Sequence, residues 1–184
     1  MSPGSDGLVV LPYFNGERSP IFDERASGLL VGLTLTHRRA HIYRALLEGV
    51  AYGLEHQLEP FRQRGAPLTR ILSSGGGSTS PVWTQIVSDV TGLPQRVIAP
   101  SNAAIGAAFV AGYGVGIFTT LAEIGQWHRT FTDISPNLEA HRTYQQMYAI
   151  YRSLYPSTRD AMHALHDLAH HRAGSDAASV SKES

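Results

Sequence analysis

Three consecutive glycines, Gly75, Gly76 and Gly77, separate the apolar run Ile71-Leu72 from a segment that opens Ser80-Pro81-Val82-Trp83. Thr69–Ser73 reads as a strand that runs into the glycines. Residues 80–91 fit a helix, with Ser80 as cap, Pro81 at the first helical position, and Val82, Ile86, Val87 and Val90 facing inward. Gly92 and Pro94 stop it. The glycines therefore occupy a strand-to-helix turn and not a linker. Backbone without a Cβ adopts positive φ and lets another molecule approach closely. The helix that follows offers unpaired N–H groups and the positive end of its dipole. Such a turn suits a phosphate, or the ribose and base of a nucleotide. The spacing is neither GxGxxG nor a Walker loop, because no Lys follows the glycines. On spacing alone, a simple tight turn is the commoner reading.

The rest of the chain gives the turn its setting. Residues 8–14, LVVLPYF, suit a short buried strand, and the Asn-Gly of NGERSP (15–20) marks a turn. Residues 21–37 read as irregular. From about Arg38 a helix is predicted, with Thr36 placed to cap it and Ile42, Leu46, Val50, Leu54 and Leu58 recurring every four residues. Pro60 and the stretch 64–67 close it. Gln95–Ala99 is a further strand, and 102–113 is a helix of small residues ended by Gly114 and Gly116. A polar connector spans about 119–137. A last helix starts near 138 and carries Tyr144, Met147, Tyr148, Tyr151, Leu154 and Tyr155 as a stripe. Pro156 is expected to kink or restart it. Alternating strands and helices of this kind mean an α/β domain.

Composition adds exclusions. Of 184 residues, 42% are hydrophobic and 16% charged, which is enough for a real core. Fifteen basic residues balance fifteen acidic ones, so bulk charge gives no support for a nucleic-acid or anionic-membrane partner. No cysteine is present, which excludes disulfides and thiolate metal sites. No basic-then-apolar leader and no apolar run of bilayer length is seen, and a soluble cytoplasmic protein is the expectation.

Three stretches, taken in order, carry a resemblance. They are LPYFNGERSPIFDERASG (11–28), GLLVGLTLTHRRAHIYRALLEG (28–49) and GGGSTSPVWTQIVSDVTGLP (75–94). Together they resemble the FGGY carbohydrate kinases: a PY-x-GER-x-P segment, the second family signature, and the nucleotide-side motif. In the signature, Gly28, Leu30, Gly32, Leu33, His41, Ile42, Ala45, Leu47 and Glu48 agree, while Leu46 departs slightly. PSNAAIGAAFVAG (100–112) and the Tyr-rich stretch 138–156 also fit. The resemblance covers about residues 7–170 and is nearest to xylulokinase-like members.

The resemblance implies a ribonuclease H-like, actin-like ATPase domain, incomplete at its N-terminus, with a C-terminal packing helix. Residues 1–170 would be the nucleotide-side C-terminal domain lacking its first hairpin, and 171–184 a disordered polar tail. Gly76 and Gly77 would lie against the nucleotide, with Gly75 in the same turn. Ser80 stands where relatives often have Asn, and Asn102 where many have Glu and others Asn. The implied reaction transfers the γ-phosphate of ATP, taken with Mg2+, to a hydroxyl of a sugar or ketose of the xylulose type. The aspartate base belongs to the N-terminal domain, which binds the sugar and has no counterpart here. No catalytic or metal residue is therefore expected in this chain, and the chain by itself is expected to be inactive. The alternative is a non-catalytic or split-kinase module that needs a separate N-terminal chain. Expected partners are the sugar, reached through the N-terminal domain, and a second copy of the chain in a homodimer.

Other candidates have competing readings. Asp89 reads as structural, since no paired acid or base lies near it in sequence. Glu17-Arg18 is either a cleft ion pair or a turn-stabilising one. His163, His166, His170 and His171 form a helical stripe, for which a solvated tail is the expectation over a metal site. The tyrosine stripe reads as core packing.

Overall fold

The computed structural model describes residues 1–99, 103–127 and 130–180, with backbone alone for Ala99 and for 171–180. The chain forms two compact units: residues 1–60 with the stretch from Thr143 onward, and Phe61–Arg142. Among the described residues, no helix is long and apolar enough to cross a membrane.

In the first unit, strand β1 (Val9–Leu11) pairs antiparallel with β2 (Leu29–Val31), with Val9 opposite Val31. All three β1 side chains are buried, as expected for branched residues on a core strand. Helix α1 (Arg39–Gln63) lies on this strand: Leu8, Val10 and Ala45 form one cluster, with Ile42 and Leu46 packed against it. Gly49 allows that approach, because a Cβ there would come 2.4 Å from the Val10 carbonyl oxygen. Strand β2 falls inside the stretch read as irregular. It is only three residues long, between Gly28 and Gly32, and its side chains are half-buried or exposed, so it has too little length and pattern to show in the sequence.

Helix α1 begins and ends where expected, but its cap and the part played by Pro60 differ. Thr36 is not its cap, because the Thr36 hydroxyl pairs with that of Thr34. Instead the Arg38 N–H donates to His41 Nδ1 at 2.9 Å, so a side chain three residues on reaches back to the helix start. Pro60 lies inside the helix. The stop is Gly65, at φ 72°, where Gly65 N–H donates to the Arg62 carbonyl and Ala66 N–H to that of Phe61, a Schellman arrangement. The buried face is also turned from the predicted row. Ala45, expected to widen that face, is buried and Ile42 and Leu46 pack beside it, but Val50 is exposed, while Glu48, Gly49, Ala51 and Tyr52 are buried.

Glu48 faces the core because every demand of its carboxylate is met. It accepts from Gly4 N–H (3.0 Å), Ser5 Oγ (2.7 Å), Arg44 Nε (2.8 Å) and Tyr144 Oη (2.8 Å). Tyr144 and Tyr151 of the last helix, α4 (Leu138–Val180), are fully buried and pack with Tyr52 and Tyr13. The tyrosine stripe is therefore core. Pro156 stands within α4, which neither breaks nor restarts there. The helix is described by its backbone alone over residues 171–180.

In the second unit, β3 (Ile71–Ser73) runs parallel to β4 (Gln95–Ala99), and β5 (Thr130–Ile134) pairs antiparallel with β4, giving the order β3-β4-β5. Helix α2 (Pro81–Thr91) buries Ile86, Val87 and Val90, whereas Val82, expected inward, is exposed. Helix α3 (Ala103–Gly114) buries Phe109, which stacks on Phe118 at 4.7 Å and meets the edge of Trp127. Strand β5 lies within the stretch read as a polar connector. Four of its five side chains are exposed, so it has no apolar face to betray it.

Candidate functional site

The glycine turn joins β3 to α2, and a buried glutamine fixes both sides of it. Gln95 is 2% exposed. Its Oε1 accepts from Ser73 Oγ at the end of β3, and its Nε2 donates to the Thr84 carbonyl of α2 at 2.7 Å. A side-chain amide that satisfies the last strand residue and the first helical turn together holds the turn between them. Sequence reading missed Gln95. The available signal was a polar residue opening the short strand QRVIA, where an apolar side chain is the norm for a buried position.

Each glycine has its own reason or lack of one. Gly75 adopts φ 87°, ψ −174°, a conformation open essentially only to glycine. Gly76 and Gly77 begin a short 3₁₀ turn, Gly76–Thr79, and neither has positive φ. A Cβ on Gly76 would meet nothing within 4 Å, and one on Gly77 would rest 3.6 Å from Trp83 Nε1 in ordinary contact. Neither backbone conformation nor internal packing therefore demands glycine at these two positions. Both are exposed. Among the described residues, their backbone N–H groups have no acceptor.

The hydroxyls around the turn are spent on it. Ser78 Oγ donates to the Gly75 carbonyl and Thr79 Oγ1 to that of Gly76, each at 2.7 Å. Ser80 caps α2: its Oγ accepts from Trp83 N–H at 3.4 Å, and its carbonyl accepts from Thr84 N–H at 3.0 Å. Gly75, Gly76, Gly77 and Ser80 thus form one continuous surface turn. Asn102 lies outside the described residues.

Asp89 is structural. Its carboxylate accepts from Gln85 Nε2 (2.8 Å) and Asn137 N–H (2.7 Å), and its carbonyl is paired with His141 Nδ1. Asn137 in turn caps α4 by accepting from the N–H groups of Glu139 and Ala140. Glu17 Oε1 accepts from Ser19 N–H at 3.0 Å, so it stabilises its own turn. Among the described residues Glu17 and Arg18 form no ion pair with each other.

His163 is not a solvated tail residue. Its Nε2 pairs with Asp23 Oδ2 at 2.5 Å, and the same oxygen accepts from Tyr155 Oη. Burial pushes the Asp23 carboxyl up, but hydrogen bonds from Tyr155, His163 and Arg25 N–H outweigh it and hold the group at about 2. Tyr155, desolvated and facing that carboxylate, is pushed up to about 12. His166 packs against His170, with ring centroids 4.0 Å apart. Among the described residues, no group of three or more His, Asp or Glu side chains is arranged to hold a metal ion.

A bound nucleotide fits this arrangement on two counts. The surface at Gly76 is open where a side chain would otherwise stand, and donors without acceptors line it. No acidic side chain contributes to the turn itself.

Comparison with known proteins places the chain in a family. Residues 2–115 match the model of the FGGY family of carbohydrate kinases, C-terminal domain. The xylulose kinase of Bacillus subtilis is 34% identical over 166 residues, covering 88% of this chain and 33% of the relative. A ribulokinase of Mycolicibacterium smegmatis is 36% identical over 157 residues, covering 83% and 28%. The crystal structure of xylulose kinase from Rhodospirillum rubrum superposes with a TM-score of 0.74 at 37% identity, covering 87% of this chain and 32% of that one. The chain spans about a third of the length of these relatives. The expected α/β, actin-like ATPase fold class is that of these neighbours. The chain belongs to the FGGY family of carbohydrate kinases and corresponds to its C-terminal domain.

Proposed function

We propose that this chain is the nucleotide-side domain of an ATP-dependent sugar kinase that phosphorylates a ketose of the xylulose type. The observation that carries the reading is the pair Gly76 and Gly77. The fold leaves them free to carry side chains, yet the chain keeps glycine at both. A ligand lying against the turn is what a side chain there would exclude.

Phosphoryl transfer asks the protein mainly to position its reactants and to neutralise charge. In this reading the exposed N–H groups of Gly76 and Gly77 donate to the nucleotide. Gly75 shapes the turn, and Gln95 keeps strand and helix in register around it. Ser80 holds the first turn of α2 and sets the approach from that side. Mg2+, taken with the nucleotide, would supply charge neutralisation. The proton of the sugar hydroxyl goes to an aspartate of the N-terminal domain, which also binds the sugar. A homodimer and a cytoplasmic location belong to the same reading. Sedimentation velocity checks the first and cell fractionation the second.

Calorimetric titration of the folded chain with Mg-ATP and Mg-ADP, beside Gly76→Arg, tests the proposal. Heat in the wild type that the variant abolishes supports it. Equal heats in both proteins would place the nucleotide elsewhere. The occurrence of a separate gene for the N-terminal half would favour a split kinase.

A further inference from the structure

We infer that Trp83 is a nucleotide-positioning residue whose indole N–H donates to an acceptor atom of the bound nucleotide. The inference rests on the nucleotide reading of the glycine turn. Trp83 is the third residue of α2, and its main-chain N–H is already taken by the Ser80 cap. Its indole lies beside the turn: the Cβ position of Gly77 is 3.6 Å from Nε1 and 3.8 Å from Cδ1, so the polar edge of the ring is the edge that meets the glycines. An indole N–H can only donate, and tryptophans that are partly covered usually find a partner for it. Among the described residues, Trp83 Nε1 has none. With the backbone N–H groups of Gly76 and Gly77, this makes three donors without acceptors among the described residues in neighbouring residues of one turn. Such a set of donors suits an oxygen- or nitrogen-rich ligand. The aromatic face beside the donor adds contact area that a second serine or glycine would lack.

The chain has only two tryptophans, Trp83 and Trp127. Trp127 packs in the ring cluster with Phe109 and Phe118, so Trp127→Phe keeps an aromatic there and leaves Trp83 as the only reporter. Titrating that variant with Mg-ADP should shift or quench its emission with the midpoint found by calorimetry. Trp83→Phe keeps a ring and loses the donor, and it should weaken Mg-ADP binding about tenfold. Adenosine and magnesium tripolyphosphate, titrated separately, tell whether the acceptor lies on the nucleoside or on the phosphates, and a response to either supports the inference. Normal calorimetric binding with flat Trp83 emission would overturn it and leave the nucleotide reading standing. Absence of binding by a folded chain would overturn both. If Trp83→Phe does not fold, the emission of the single-tryptophan protein decides alone.

Discussion

Two buried polar groups in the first unit have opposite fates. The Glu48 carboxyl is buried, and four donors surround it, so its burial is compatible with stability. Tyr52, one turn along α1, is 1% exposed, and its hydroxyl has no partner among the described residues. Burial pushes that hydroxyl's pKa far up, and the Glu48 charge adds to the shift. An orphan buried hydroxyl is a cost that its removal relieves. Tyr52→Phe is expected to raise unfolding free energy by about 1 kcal/mol, read as a shift in urea midpoint at constant slope. A fall of that size would mean that the hydroxyl has a partner. Asp23 gives a pH dependence of known sign. Its folded pKa of about 2 lies below the unfolded value of about 3.9. Its contribution is therefore present above pH 4 and lost as pH falls toward 2. The stability difference between wild type and Asp23→Asn should shrink across that window in urea titrations. A constant difference would refute the linkage.

At the scale of elements, Ser80 and its helix show what the sequence reveals and what it hides. Ser80→Ala should cost about 0.5–1 kcal/mol, at the low end for caps because the bond is long at 3.4 Å. Ser80→Asn, which caps as well, should restore the wild-type melting point. If both variants lose equal stability, the side chain acts through something other than the cap. This helix was legible because its signals are local: Ser80, then Pro81, then Gly92. The glycine turn was legible for the same reason. Strands β2 and β5 were not, because each is short and mostly exposed, and only pairing with a distant strand makes them strands. The end of α1 was legible in the stretch 64–67, although Pro60, named with it, lies inside the helix. The Gly65 closure is made by bonds back to Arg62 and Phe61, and the glycine there is its local sign. Gln95 was hidden, as the two strands were. Its role exists only once Ser73 and Thr84 are brought to it by the fold.

On the proposed reading, the whole molecule supplies the nucleotide side of a phosphoryl transfer whose sugar side lies in an N-terminal domain. The glycine turn offers donors, but the nearest carboxylate along the following helix, Asp89, is committed to Gln85 and Asn137. The chain spans about a third of its relatives' length. Large apolar side chains stand exposed in each unit, Phe14, Phe22 and Leu35 in the first and Val115 and Ile117 in the second, and surfaces of that kind ordinarily meet another body. Positioning supplies most of phosphoryl-transfer catalysis, so a nucleotide held without its acceptor and base should stay intact. The purified 184-residue chain is accordingly expected to bind Mg-ATP yet to show no xylulose-dependent ADP release above the blank in a coupled assay. Co-expression with an N-terminal sugar-kinase half should restore turnover. In the restored enzyme Gly76→Arg should abolish it while Tyr52→Phe leaves it intact. Turnover by the chain alone would show that base and sugar site lie within these residues, and the division of labour proposed here would fall.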